Sequence, residues 1–435
     1  MLRKGIGLGP VDNVSPITLR QHLAHPLRLL FLAPFAPRLD ASNGGGRVVA
    51  QLIDHLSSKH KIALCYLRSA DELPVDPVLQ AKCEWIEETI IHGDQSTGSG
   101  SWRGRLKIWQ QLFAGRPLWA IGRFDPVFAS RMEALARSWP PDIIQVEFHV
   151  MGQFLPALKG CRAPRVLVQH EPGVETARAS LRSGNSPGRW MPYLDLLAWQ
   201  RYERKLMRQV QAVVVFTERD RRSLLKLNPR PPIFRIPFGT VPPALPGNPL
   251  GCFPPSLLFV GNFIHPPNID AAVHLVRDIF PEVRLQVPEA RLVIVGSQPP
   301  VELRKHANEA VTIAGFVPDL TPYLEEAALV VAPLRIGGGM RVKVVEALAF
   351  GKAVVATPLA AEGLDLADGE QIILAKHDQD FIQKIIYLLH NPAERAALAE
   401  HGRTWACEHL SWEETVLEYE ALYQMLLNER SQADV

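Results

Sequence analysis

The stretch PLRIGGGMRVKVVEALAFGKAVVAT, residues 333 to 357, sets three glycines ahead of a lysine and a glutamate. Without a Cβ, Gly337, Gly338 and Gly339 let backbone amides close on a phosphate group. A helix that begins near Gly339 puts Gly339, Lys343 and Glu346 at i, i+4 and i+7, on one stripe. A lysine suits the oxygens of a diphosphate and a carboxylate suits paired sugar hydroxyls, so the stripe matches the diphosphate and ribose of a nucleotide. The same residues also fit a glycine turn before an ordinary surface helix, with Lys343 and Glu346 as an i,i+3 ion pair.

Such a loop faces a ligand only if it leaves the carboxyl end of a strand and enters a helix N-terminus. ALVVAPL supplies the strand and MRVKVVEALAF the helix. Apolar runs of strand length recur upstream: LRLLFLA (27 to 33), KIALCYL (61 to 67), DIIQVEF (142 to 148), RVLVQ (165 to 169) and QAVVVF (211 to 216). Continuous apolar strands separated by helical stretches indicate an α/β chain with parallel sheets covered on both faces. Proline and glycine crowd PFGTVPPALPGNPLGCFPPS (237 to 256), and the alternation restarts with SLLFVGN, RLVIVG, LVVAP, AVVAT and QIILA. We therefore expect a lead-in at residues 1–25, a first unit at 26–240, a linker at 241–255 and a second unit at 256–410. A terminal amphipathic helix follows at 411–435, opened by the capping box Ser411 and Glu414.

The 435 residues, 47% apolar and 21% charged, suffice for two cores. A formal charge of +2 does not indicate a nucleic-acid partner. Five scattered cysteines form no C-x-x-C pair and fit a reducing cytoplasm, and no apolar run has the length of a bilayer span or a secretory signal. GIGLGP (5 to 10) has dinucleotide-like glycines with no strand ahead of it. DQD (378 to 380) opens a helical stretch and reads as capping, not as a metal site.

In these motifs the chain resembles the group 1 retaining glycosyltransferases, whose GT-B architecture sets two Rossmann-like domains face to face. NGGGRVVAQLIDHL (43 to 56), VVVFTERDRRSL (213 to 224), IPFGT (236 to 240), FVGNFIHPPNIDAAVHL (259 to 275), RLVIVGSQP (291 to 299) and VTIAGFVPDLTPYLEEAALVVAPL (311 to 334) follow in the family's order. The resemblance implies a donor site drawn from Gly44, Gly45, Gly46, Gly261, Asn262, Gly296, Phe316, Val317, Gly337, Gly338, Gly339, Met340, Arg341, Lys343 and Glu346. It assigns the catalytic work to His170, Lys343 and Glu346, with His149 a weaker candidate. It also implies that the terminal helix crosses back onto the first domain.

Two departures stand out. Gly338 occupies the place of the family's first motif glutamate, and GNFIHPPN lacks the usual Arg and Lys, so Lys343, with Arg341 second, must carry the diphosphate. The pattern GGGxRxKxxEA marks a branch of the family. The implied reaction moves a hexose-type sugar from a nucleotide-sugar to an acceptor hydroxyl with retention, using no metal or other cofactor. The implied acceptor is a glycan or lipid-linked sugar. SWRGRLKIWQQLFAGRPLW (101 to 119) and RWMPYLDLLAWQRYERKLMRQ (189 to 209) fit either contact with the inner membrane face or helices packed on their own domain. A sugar-nucleotide epimerase of the same fold and a degenerate nucleotide-sugar-binding protein are the other readings. A dinucleotide oxidoreductase is disfavoured, because no G-x-G-x-x-G follows LRLLFLA and Asp71 is only loosely placed as its acid.

Overall fold

Strands β1 (Arg28–Ala33), β2 (Lys61–Ser69), β3 (Trp85–Ile91), β4 (Ile143–Glu147), β5 (Arg165–Gln169), β6 (Ala212–Val215) and β7 (Ile233–Arg235) form a parallel sheet of seven, ordered β3-β2-β1-β4-β5-β6-β7. β8 (Ser256–Val260), β9 (Arg291–Val295), β10 (Val311–Gly315), β11 (Ala327–Ala332), β12 (Val354–Ala356) and β13 (Ile373–Leu374) form a second parallel sheet of six, ordered β10-β9-β8-β11-β12-β13. These elements come from a computed structural model, in which we describe residues 25–41, 44–91, 102–183, 190–227, 229–337 and 341–433. The GIGLGP motif lies outside the described residues.

Leu29 to Ala33 of β1 are completely buried, as a strand covered by helices on both faces must be. The outer strand β3, WIEETII, is polar and half-exposed, which suits an edge. Between β7 and β8, residues 236–255 hold no helix or strand.

The terminal helix Trp412–Ala433 starts on Ser411, whose Oγ accepts the backbone N–H of Glu413 at 3.1 Å. It buries Trp412, Val416, Tyr419, Tyr423 and Leu426, a 3.6-residue stripe, against the first unit. Trp412 stacks on His55 with ring centroids 5.3 Å apart, and Glu420 takes both His60 Nε2 and Lys59 Nζ at 3.1 Å. The Tyr423 hydroxyl donates to Gln145 Oε1 inside β4. The preceding helix Pro392–His409 packs on the helix Val342–Phe350 of the second unit, so the end of the chain touches both units.

Both strand orders reverse once, at β1/β4 and at β8/β11. Ligands of open α/β sheets bind outside the carboxyl ends of strands at such reversals, so two crevices are expected where the units meet. Tyr423→Phe removes the donor to a fully buried amide oxygen and should cost about 1 to 3 kcal/mol in urea unfolding, with the native circular dichroism spectrum kept.

Candidate active site

The second crevice is built by Gly261 and Asn262 after β8 and by the loop after β11 that carries Gly337. Gly337 has φ +105°, and a Cβ there would lie 2.8 Å from Pro267 Cγ, so only glycine fits. Gly338, Gly339 and Met340 lie outside the described residues. The helix begins at Val342, three residues after the expected start at Gly339, because Arg341 (φ −94°, ψ 40°) is not helical.

Lys343 and Glu346 share one face of that helix but do not pair with each other. The Lys343 ammonium donates to Asn268 Oδ1 at 2.6 Å and lies 4.9 Å from the Phe259 ring centroid. Asn268 donates to the Asn262 carbonyl at 2.7 Å, and Ser297 Oγ donates to Asn262 Oδ1 at 3.0 Å. A Cβ on Gly296 would stand 1.6 Å from the Gly261 carbonyl oxygen, so Gly261, Asn262, Gly296 and Lys343 form one tight cluster. Phe316, 57% exposed, and the half-buried Val317 follow β10, the outer strand two places from β8.

Glu346 pairs instead with Arg47 of the first unit, through contacts of 2.7 and 3.3 Å. The expected i,i+3 partnership is displaced because a planar guanidinium matches a carboxylate on two prongs. Arg47 stands in the first turn of the helix Gly44–Leu56, which opens on Gly44, Gly45 and Gly46. A Cβ on Gly44 would meet Val342 Cγ2 at 2.8 Å, and one on Gly45 would meet Phe148 Cζ at 2.7 Å. Arg341 is 5% exposed and faces Glu362 at 3.6 Å; Arg219 of the first unit also reaches Glu362 (2.8 Å) and the Gly337 carbonyl (3.4 Å).

Burial governs the protonation of this cluster. It draws the Lys343 ammonium down to about 7, with the Arg341 charge adding to the effect. It raises Glu346 against the opposing pull of Arg47, and it lowers Arg341, whose neighbour Arg219 acts in the same direction. A lysine poised near neutrality gains charge readily when an anion approaches.

The first crevice holds both candidate histidines. His170, directly after β5, is only 3% exposed; its Nε2 donates to Glu147 Oε2 at 2.7 Å, and its ring stacks on Phe148 at 3.8 Å. Glu147 also accepts Gln145 Nε2 at 2.7 Å, which extends a buried line Tyr423–Gln145–Glu147–His170. His149 is buried with Nδ1 on Gln169 Oε1 at 3.0 Å, and burial lowers it to about 3, so it is neutral. The structure thus brings Lys343, Glu346, Gly44 and Gly45 together, with His170 behind the Phe148 ring. Sequence reasoning missed Arg47, Glu147 and Phe148. An arginine directly after three glycines, and a Gln and a Glu inside an otherwise apolar strand, were the available signals.

The profile described as Glycosyltransferase Family 4 matches residues 42–241, and that described as Glycosyl transferases group 1 matches residues 254–391. Each unit thus matches a glycosyltransferase profile of its own. The chain's two facing parallel-sheet units are the GT-B fold. A sucrose-phosphate synthase from Thermosynechococcus elongatus superposes with TM-score 0.66 at 18% identity, over 92% of this chain and 100% of that one. Anabaena HepE, in complex with UDP and glucose, gives 0.62 at 12% identity, over 92% and 99%. An uncharacterised glycosyltransferase of Methanocaldococcus jannaschii is 30% identical over 94 residues, 21% of this chain and 24% of that relative. An uncharacterised 44.6 kDa protein in the cps region of Klebsiella pneumoniae is 26% identical over 140 residues, 30% of this chain and 36% of its own. The matches thus span about a quarter and about a third of these two relatives.

The Cε resonance of Lys343 in protein labelled with [ε-13C]lysine should titrate with a midpoint near 7. Arg341→Met removes a neighbouring positive charge and should move that midpoint upward.

Proposed function

We propose that this glycosyltransferase moves a hexose-type sugar from a nucleoside diphosphate to an acceptor hydroxyl, with retention at the anomeric carbon, in polysaccharide, glycolipid or other glycoconjugate synthesis. The observation that carries this reading is the placing of Lys343 and Glu346 on one face of the helix that leads from the β8/β11 crevice. Lys343 and the amides of that helix's first turn take the diphosphate. Glu346, held by Arg47, accepts the ribose hydroxyls.

In the proposed step the bond between the anomeric carbon and the diphosphate oxygen breaks as the acceptor oxygen attacks from the same face. The acceptor's proton passes to the leaving phosphate oxygen. Charge builds on that diphosphate, and fixed donors aimed at it lower the barrier most. The protein's own cations supply this, and we assign no metal or other cofactor to the reaction. Glu147 holds the Nε2–H of His170, leaving Nδ1 as the nitrogen that turns to the donor sugar. UDP bound to Anabaena HepE supports uracil as the first base to test.

Peripheral attachment to the cytoplasmic membrane face belongs to the same reading. Trp190, 76% exposed, begins a stripe through Tyr193 and Leu197 on the helix Met191–Leu206, and Arg201, Arg204 and Arg208 continue it. Apolar anchors beside cations suit an anionic leaflet, where each cation adds about 1 kcal/mol.

Glu346→Gln should weaken UDP binding in calorimetry by about 1.5 to 3 kcal/mol, the scale of a charge-assisted hydrogen bond. Lys343→Met should lower sugar transfer by about 100- to 1,000-fold. Wild-type turnover in folded Lys343→Met would refute the diphosphate role. In sedimentation, vesicles of phosphatidylglycerol and phosphatidylcholine in equal parts should retain the protein and pure phosphatidylcholine should not. Replacing Trp190, Tyr193 and Leu197 together by serine should release it.

A further inference from the structure

A cavity of about 510 Å³ lies beside the amino ends of β6 and β7, on the side of the first sheet that faces away from the cleft. Arg204 and Arg208 reach it from the end of the helix Met191–Leu206 and the turn that follows. Lys226 and Arg230 reach it from the connection between the helix Glu218–Leu225 and β7. All four are exposed, and among the described residues none of their side chains has a hydrogen bond or an ion pair.

Arginines close by are held differently. Arg221 and Arg222 share Glu218 at 3.3 Å each, and Arg165 donates to the carbonyls of Leu158 at 2.7 Å and Gln209 at 3.4 Å. Carboxylates in the flanking helices face elsewhere: Glu203 is buried and accepts the Gly173 N–H at 2.7 Å, and Asp220 is buried and accepts the Thr217 hydroxyl at 2.7 Å. Among the described residues that line the cavity there is no carboxylate. Four like charges that converge on one concavity repel one another, and a chain of net charge +2 is not basic all over. The negative ends of the two helices each favour a nearby cation, but they supply only about half a charge apiece and leave the cavity strongly positive.

We propose that this cavity binds a multiply charged phosphate group, remote from the site of sugar transfer. The planar forks of three arginines match phosphate oxygens two at a time, and Lys226 adds a point charge. A lone carboxylate would leave most of these donors unused. The nucleotide's diphosphate goes to the opposite end of the strands, so this is a second anion site, and it does not depend on the transfer reading. The phosphate belongs either to a soluble oligophosphate or to the headgroup of an anionic lipid. Only the lipid source bears on membrane attachment, through Arg204 and Arg208; Lys226 and Arg230 lie outside that stripe.

The test is calorimetry on the full chain without magnesium, titrating separately inorganic diphosphate and dihexanoyl phosphatidylglycerol below its micellar concentration. At least one should bind, and more weakly as salt is raised. Binding should persist in Lys343→Met, which removes the cleft's own partner for a diphosphate. Lys226→Gln with Arg230→Gln should weaken it by about tenfold, the low end for charge-assisted hydrogen bonds at an exposed site, and leave UDP affinity unchanged. Arg137→Gln with Arg277→Gln removes the same charge from exposed ion pairs elsewhere and should leave it unaltered. Binding of diphosphate identifies a soluble source, and binding of phosphatidylglycerol alone identifies a headgroup. The site is overturned if neither binds, if Lys343→Met abolishes binding, or if the two double variants bind equally well. UDP affinity in Lys343→Met reads the transfer assignment separately.

Discussion

Gly44 sets how closely the two units meet, and Gly45 how closely its helix sits on Phe148 of the same unit. Any side chain at Gly44 would run into Val342, and any at Gly45 into Phe148, at separations below 3 Å in both cases. With no side chain at Gly44, the first turn of the helix Gly44–Leu56 sits against the start of the helix Val342–Phe350, and Arg47 comes within reach of Glu346. The bare loop, the ion pair and the Phe148 ring therefore form one construction.

The ion pairs between the units are partly solvated. Arg47–Glu346, Arg219–Glu362 and Arg235–Asp365 all keep substantial exposure, and pairs of that kind contribute about 0 to 1 kcal/mol each. They specify how the units align without locking them. Inside the cleft the balance differs. Burial pulls Lys343 toward neutrality and, against the opposing pull of Arg47, raises Glu346.

The terminal helix contributes more than packing. It crosses the irregular connection at Thr240, whose N–H bonds to the Leu410 carbonyl at 2.7 Å, and places Tyr423 against Gln145. From there the buried line runs through Glu147 to His170, so the last helix of the chain bears on the orientation of a histidine more than 250 residues earlier. The direction of each bond is forced: the carboxylate only accepts, so both Gln145 Nε2 and His170 Nε2 donate to it.

Much of this was legible in the residues themselves. Buried parallel strands advertise themselves as unbroken apolar runs, so β1, β2, β4, β5 and β6 stood out, whereas the edge strand β3, with Glu87, Glu88 and Thr89 along it, did not. The glycine loop and the shared face of Lys343 and Glu346 follow from local backbone geometry, which periodicity encodes. The partners of those residues do not. Arg47 and Glu346 are 299 positions apart, and nothing local distinguishes a guanidinium that crosses a cleft from one that faces water. Likewise His170 reads as a strand-end histidine, while its carboxylate on β4 and its cover by Phe148 arise only when neighbouring strands align in register. Sequence determines which elements form and which face each presents, because those depend on neighbours within a few residues. Which charges meet, which are buried and which rings close the site depend on how distant elements pack, and the tertiary structure alone decides that.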